Sequence, residues 1–169
     1  MPSSSYSLLL QAKAIILAII VFAGFYILDN FGKRAPLYQH VEDYLQFVTP
    51  FYACTLAFLY DDIRPSLKQF ITALASVSLV TYVLKYLVDA KRPNGVGGYS
   101  FPSGHTSFAF SAAAMVHKRY HLYYAIPAYA NAVLIGYLRI FHHKHYLIDV
   151  ICGTIIGVAI TWKIVSRKS

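Results

Sequence analysis

Long apolar runs separated by short charged stretches organise this chain. The first, about Leu8–Leu28, is interrupted only by Gln11 and Lys13 near its start. It predicts a transmembrane helix with Lys13 snorkelling to the interface. No basic region precedes residue 13 and no small-x-small cleavage site follows, so it reads as a retained anchor rather than a signal peptide. The polar stretch Asp29–Asp43, with Gly32, Pro36 and Lys33-Arg34, predicts a short interfacial element. A second run, Tyr44–Tyr60, is uncharged and has Pro50 near its start; Asp61-Asp62-Ile63-Arg64-Pro65 then reads as a turn with a proline stop. A third run covers Leu67–Val88 and contains Lys85, and a loop follows from Asp89 through Tyr99. The fourth helix begins near Ser103 and ends at His117-Lys118-Arg119. The fifth covers Leu122–Leu138 and the sixth His145–Val165. Six spans of ~20 residues use most of the chain. The pattern therefore predicts one all-α, polytopic membrane domain over residues 1–169.

Composition supports that reading. Of 169 residues 57% are hydrophobic and 13% charged, against about 25% charged in soluble domains. Too few charges remain to cover a soluble surface, and disorder is excluded by the same figures. The formal net charge is +8, from 15 Lys/Arg against 7 Asp/Glu. Basic residues lying between apolar segments suit anionic lipid headgroups or a phosphorylated ligand better than nucleic acid, and no obligate protein partner is expected. Cys54 and Cys152 both lie in apolar runs and read as core thiols, not a disulfide. An even number of spans puts both termini on one side with Arg64, Lys68, Lys118, Arg119, Lys163, Arg167 and Lys168. The other side carries Lys33, Arg34, Lys85, Lys91, Arg92, Arg139 and Lys144. If several of the second group bind a ligand anion, the positive-inside rule puts the termini in the cytoplasm and the polar cluster outside.

Three separated pieces then face one membrane boundary: Lys85-x6-Arg92-Pro93, Pro102-Ser103-Gly104-His105 and Arg139-x5-His145-x3-Asp149. Lys85, Arg92 and Arg139 can hold a multiply charged oxyanion, the guanidinium forks matching phosphate oxygens. Taken singly, each also fits a residue snorkelling to the interface. Ser103-Gly104 offers a hydroxyl and backbone N–H groups at a helix start, as an anion site or as a plain cap. His105 can donate a proton to a leaving oxygen. A helix carrying His145 and Asp149 four apart would present both on one face, so that the carboxylate fixes the tautomer and frees one ring nitrogen to attack. The bland alternative is a buried polar clasp. His142 and His143 read as headgroup contacts or loop residues, and His40, His117 and His121 carry no assigned chemistry. H-E-x-x-H, Walker and G-x-S-x-G patterns are absent, so neither a metal nor a cofactor is expected.

The three-part pattern resembles the type 2 phosphatidic acid phosphatase superfamily, also called the acid-phosphatase/vanadium-haloperoxidase superfamily, with its K-x6-R-P, P-S-G-H and S-R-x5-H-x3-D motifs. One position departs: Leu138 stands where the family has serine. The resemblance implies that Lys85, Arg92, Ser103, Gly104 and Arg139 hold the phosphoryl oxygens. It also implies that His145 attacks phosphorus to form a phosphohistidine and that Asp149 orients it. His105 would protonate the leaving oxygen and then help activate water, with no metal required.

A positive rim at the bilayer surface captures a headgroup while its tail stays in lipid, which favours a lipid phosphate over a soluble sugar phosphate. The short chain resembles bacterial envelope members of the family. This implies a multi-pass inner-membrane protein with its site facing the periplasm. Lipid A 1-phosphate leads the expected substrates, because Lys33, Arg34, Lys91 and Lys144 suit a large anionic glycolipid. Undecaprenyl diphosphate, phosphatidylglycerolphosphate and a phosphotransfer reaction stand as alternatives. The competing class is a non-enzymatic transporter or scaffold, although no inverted pair of interrupted helices supports it.

Overall fold

A computed structural model describes residues 41–60 and 63–167. The first apolar run, Leu8–Leu28, and the interfacial stretch up to residue 40 lie outside the described residues, as do Lys33, Arg34 and His40. Five helices follow in order: α1 (Val41–Tyr60), α2 (Ile63–Val88), α3 (Gly104–Tyr120), α4 (Leu122–Phe141) and α5 (Leu147–Ile164). The all-helical expectation holds throughout the described residues.

Several boundaries differ from the sequence reading, for local reasons. Pro65 does not stop a segment; it lies in the first turn of α2, where its missing N–H costs nothing. The α1 helix reaches back to Val41, so Glu42 and Asp43 fall in its first turn, where acidic side chains complement the helix dipole. The α5 helix begins only at Leu147, with Tyr146 as its N-cap. His145 therefore stands outside the helix that carries Asp149.

Side-chain contacts fix the helix directions. The Asn131 amide in α4 donates to the Leu45 carbonyl and the Thr49 hydroxyl in α1, and the Tyr52 hydroxyl donates to the Tyr124 carbonyl. Those pairs make α1 and α4 antiparallel. Interhelical polar bonds of this kind can join helices whose apolar faces gain little from meeting in lipid. The α3 helix is the axis of the bundle, with Ala109 and Ala112 through Val116 buried. It runs parallel to α5 at close range. A Cβ on Gly153 would lie 2.7 Å from the Ser103 carbonyl oxygen, and one on Gly157 would strike the Ser107 carbonyl. Only glycine at both positions lets the two backbones come this near.

The outward faces stay apolar. Phe51 and Phe58 on α1 are each 74% exposed and Leu87 on α2 is 76% exposed, more oily surface than a water-soluble bundle leaves open. Among the described residues, α2 and α5 are long and apolar enough to cross a membrane. Six spans are thus not recovered as such. The first lies outside the described residues, α1 and α4 are diluted by tyrosines, other polar residues and a proline each, and α3 is short.

These directions bring the start of α1, the end of α2, the start of α3, the end of α4 and the start of α5 to one end of the bundle. There the Asn94 N–H donates to the His143 carbonyl, tying the loop after α2 to the loop after α4. At the other end the Gln69 amide donates to Ser166 and Arg119 donates to Gln69, joining α2, α3 and the tail of α5.

Candidate active site

The loop-rich end encloses a cavity of about 540 Å³ lined by Lys85, Arg92, Gly104, His105, Arg139 and His145 among others. All three sequence pieces thus reach one cavity, as alternating helices require.

The cations are held by backbone oxygens and acids. Lys85, in the last turn of α2, donates through Nζ to the carbonyls of Tyr99 and Pro102, each at 2.7 Å. Arg92 donates through Nε to the Gly98 carbonyl at 3.3 Å. Arg139, in the last turn of α4, is 4% exposed. Its Nη1 lies 3.4 Å from Glu42 Oε1 and 3.3 Å from Asp43 Oδ1, and its Nη2 lies 3.3 Å from His145 Nε2. A guanidinium only donates. Nε2 of His145 must therefore present its lone pair, and the ring proton resides on Nδ1.

Nδ1 faces an acceptor pair. It stands 3.5 Å from Asp149 Oδ2 and 3.4 Å from Ser100 Oγ, while the Ser100 hydroxyl donates to Asp149 Oδ2 at 2.6 Å. The Tyr146 N–H donates to the same oxygen at 2.9 Å. Asp149 is the N3 residue of α5 and closes a capping box over Tyr146. The pair therefore meets across a helix N-terminus and not along one helical face. This corrects the same-face expectation: a residue before the N-cap is brought to N3 by the turn that starts the helix. Burial, followed by the charges of Arg139, Lys85 and Arg92, pushes the His145 imidazole down to about 2. The ring is therefore neutral near pH 7.

At the α3 start the residues divide. Gly104 and His105 line the cavity, but Ser103 is wholly buried and does not. Its hydroxyl shares a 2.8 Å hydrogen bond with Thr106 Oγ1, and its N–H donates to the Asp149 carbonyl. The hydroxyl is thus engaged within the first turn of α3, and the N–H with α5. Leu138, at the position where the motif has serine, is buried.

Three functional neighbours escaped the sequence reading. Ser100 falls between the loop ending at Tyr99 and the piece beginning at Pro102, and its sequence position assigns it no role. Glu42 and Asp43 looked like the end of an interfacial stretch. Glu42 is fully buried, accepting from Lys144 Nζ at 2.7 Å and lying 3.1 Å from His142 Nδ1. Lys144 and His142 are thereby engaged with α1. Asp43 Oδ1 is 2.8 Å from His105 Nε2. Among the described residues, no group of three His, Cys, Asp or Glu side chains is gathered as a metal site.

Comparison with known proteins fits this geometry. Residues 94–168 match the PAP2 superfamily. The chain is 35% identical over 79 residues to the lipid A 1-phosphatase of Porphyromonas gingivalis, covering 45% of this chain and 18% of that protein. It is 36% identical over 78 residues to the lipid A 4'-phosphatase of Helicobacter pylori, covering 46% of this chain and 39% of that protein. The matched part thus spans well under half the length of either relative. Among solved structures, Aquifex aeolicus LpxE superposes with a TM-score of 0.62 at 24% identity, over 77% of this chain and 86% of that one. The first transmembrane PAP2 type phosphatidylglycerolphosphate phosphatase from Bacillus subtilis superposes with a TM-score of 0.57 at 18% identity, over 96% and 86%. At these identities the two structures speak for the fold. The stretch that matches the PAP2 superfamily, residues 94–168, comprises α3, α4, α5 and part of the loop that leads into them.

Proposed function

We propose that this chain is a bacterial lipid phosphatase that cleaves an envelope lipid phosphate through a phosphohistidine, with lipid A 1-phosphate as the leading substrate. The observation that carries the reading is the pairing of Arg139 Nη2 with the unprotonated Nε2 of His145 beside a cation-lined cavity. A nucleophile and an oxyanion clamp occupy one spot.

In this reading the phosphoryl group lies against Lys85, Arg92 and Arg139, whose charges offset the negative charge spread over its oxygens. Backbone N–H groups at the α3 start around Gly104 add to the clamp, and Ser103 supports it from behind. Nε2 of His145 forms the P–N bond as the lipid oxygen departs. The positive charge that develops on the ring is delocalised to Nδ1–H, where Asp149 and Ser100 receive it. The Nδ1 contacts to Asp149 and Ser100, 3.5 and 3.4 Å, shorten as that charge grows. His105 protonates the leaving oxygen, and its neutral form then takes a proton from the water that opens the phosphohistidine. In this reading the steps use the chain's own side chains, and no metal is called for.

The apolar outer faces of α1, α2 and α5 favour a membrane location. Lys118, Arg119, Lys163 and Arg167 gather at the end opposite the cavity, which under the positive-inside rule favours a cytoplasmic face there and a periplasmic active site. Lipid A is preferred because both curated relatives are named as lipid A phosphatases. Undecaprenyl diphosphate and phosphatidylglycerolphosphate are the alternatives. The test is phosphate release by the purified chain in detergent with EDTA, offered each of the three lipids. Release from lipid A 1-phosphate above the other two supports the full reading. Release from one of the others moves the substrate and keeps the chemistry. No release from any of them would overturn the reading.

A further inference from the structure

His105 must carry a proton to act as an acid, yet it stands beside Arg139 in a cavity already lined by Lys85 and Arg92. A further positive charge there is disfavoured unless an anion compensates it. The described residues supply one from outside the three motif pieces. Asp43 Oδ1, in the first turn of α1, lies 2.8 Å from His105 Nε2 and 3.3 Å from Arg139 Nη1. The acid is not placed loosely. The adjacent Glu42, fully buried, binds Arg139, His142 and Lys144, and so fastens the start of α1 to the end of α4 and the loop after it. The Gln46 side chain donates to the Asp43 carbonyl at 2.9 Å.

We propose that Asp43 is the positioning residue of the acid: its carboxylate holds Nε2–H of His105 and supports the imidazolium, leaving Nδ1–H to serve the substrate. This rests on the phosphatase reading above and adds a group that the three-part pattern does not contain. In the first step the Nε2 lone pair of His145 forms the P–N bond. The P–O electron pair leaves with the lipid oxygen, which takes the Nδ1 proton of His105. In the second step neutral His105 takes a proton from water at Nδ1. The water oxygen bonds phosphorus, the P–N bond breaks, and the imidazolium on Asp43 is restored. The roles parallel those of Asp149 and His145, with a carboxylate behind each imidazole.

The test compares a long-chain alkyl phosphate with a nitrophenyl phosphate carrying the same chain, because only the alkyl leaving oxygen needs a proton. The full chain in detergent is assayed as parent, Asp43→Asn, Asp43→Glu and His105→Ala. Asp43→Asn is expected to lose about 10–100-fold in kcat on the alkyl ester and under about 3-fold on the nitrophenyl ester. Asp43→Glu should recover part of the loss, and Asp43→Asn should add little in the His105→Ala background. Turnover of the nitrophenyl ester also reports that each variant is folded. Equal loss on both esters, no loss, or a gain in turnover or affinity would overturn the proposal; a gain would mean that Asp43 competes with the phosphate. An inactive parent overturns the phosphatase reading instead. Leaving-group discrimination in His105→Ala but not in Asp43→Asn overturns only the role of Asp43.

Discussion

Arg139 donates to His145: Nη2 lies 3.3 Å from Nε2, while Nη1 of the same guanidinium reaches Glu42 and Asp43. One planar group thus assigns the tautomer of the imidazole and joins α1 to the cavity end of α4. A lysine has the charge but not the fork.

Replacement of Arg139 by lysine should therefore lower kcat by ~10²-fold, in the range seen when one oxyanion donor is lost. His145→Gln should abolish turnover while lipid binding persists. Acid-labile phosphoenzyme should be trapped from the parent and not from His145→Gln. Near-parental turnover by a folded His145→Gln protein would remove this residue as nucleophile.

Ser100 bonds Asp149 at 2.6 Å in a buried setting. Ser100→Ala leaves part of that carboxylate without its donor, and the expected cost is about 1–3 kcal/mol. Thermal unfolding in detergent reads the stability. The kcat for lipid phosphate should fall with it, because the Asp149 oxygen is freer to turn away from His145. An unchanged melting curve and rate would show that Ser100 is incidental.

The buried neutral imidazole of His145 gives stability a pH dependence of known sign. Its folded value, about 2, lies below the ordinary 6.5, so the unfolded chain binds more protons between those values. The stability contributed by this group is complete above the unfolded value and is lost as pH falls below it. Melting temperature should therefore drop from pH 7 towards pH 4, and should drop less steeply in His145→Gln. Parallel curves for the two proteins would contradict the burial argument.

Gly157→Ala brings a methyl group against the Ser107 carbonyl and the Ser111 N–H. Because the obstacle is backbone, α3 and α5 must separate, at an expected cost of about 1–3 kcal/mol. The separation also disturbs the Ser103–Asp149 backbone bond, so unfolding temperature and kcat should fall together.

Topology is tested in a chain with Cys54 and Cys152 replaced by serine. Val96→Cys, in the exposed loop after α2, should react with an impermeant thiol reagent in spheroplasts. Leu122→Cys, exposed at the opposite end, should react only after permeabilisation. The reverse pattern would invert the proposed orientation.

By itself the sequence determined that the described part is helical and that Lys85, Arg92, Gly104, His105, Arg139 and His145 belong together. Apolar run length and local spacing encode those things, because helix direction reverses at each charged break. Contacts between distant segments decided the rest. Glu42 and Asp43 meet Arg139 from almost a hundred residues away in sequence, and no local period carries such a pairing. Two glycines let α5 press against α3, so that the Ser103 N–H meets the Asp149 carbonyl. The His145–Asp149 pair kept its spacing but changed its geometry, since the capping box of α5 took Asp149 for the helix start. Spacing specifies which groups can meet; backbone approach and hydrogen-bond competition select which atoms do.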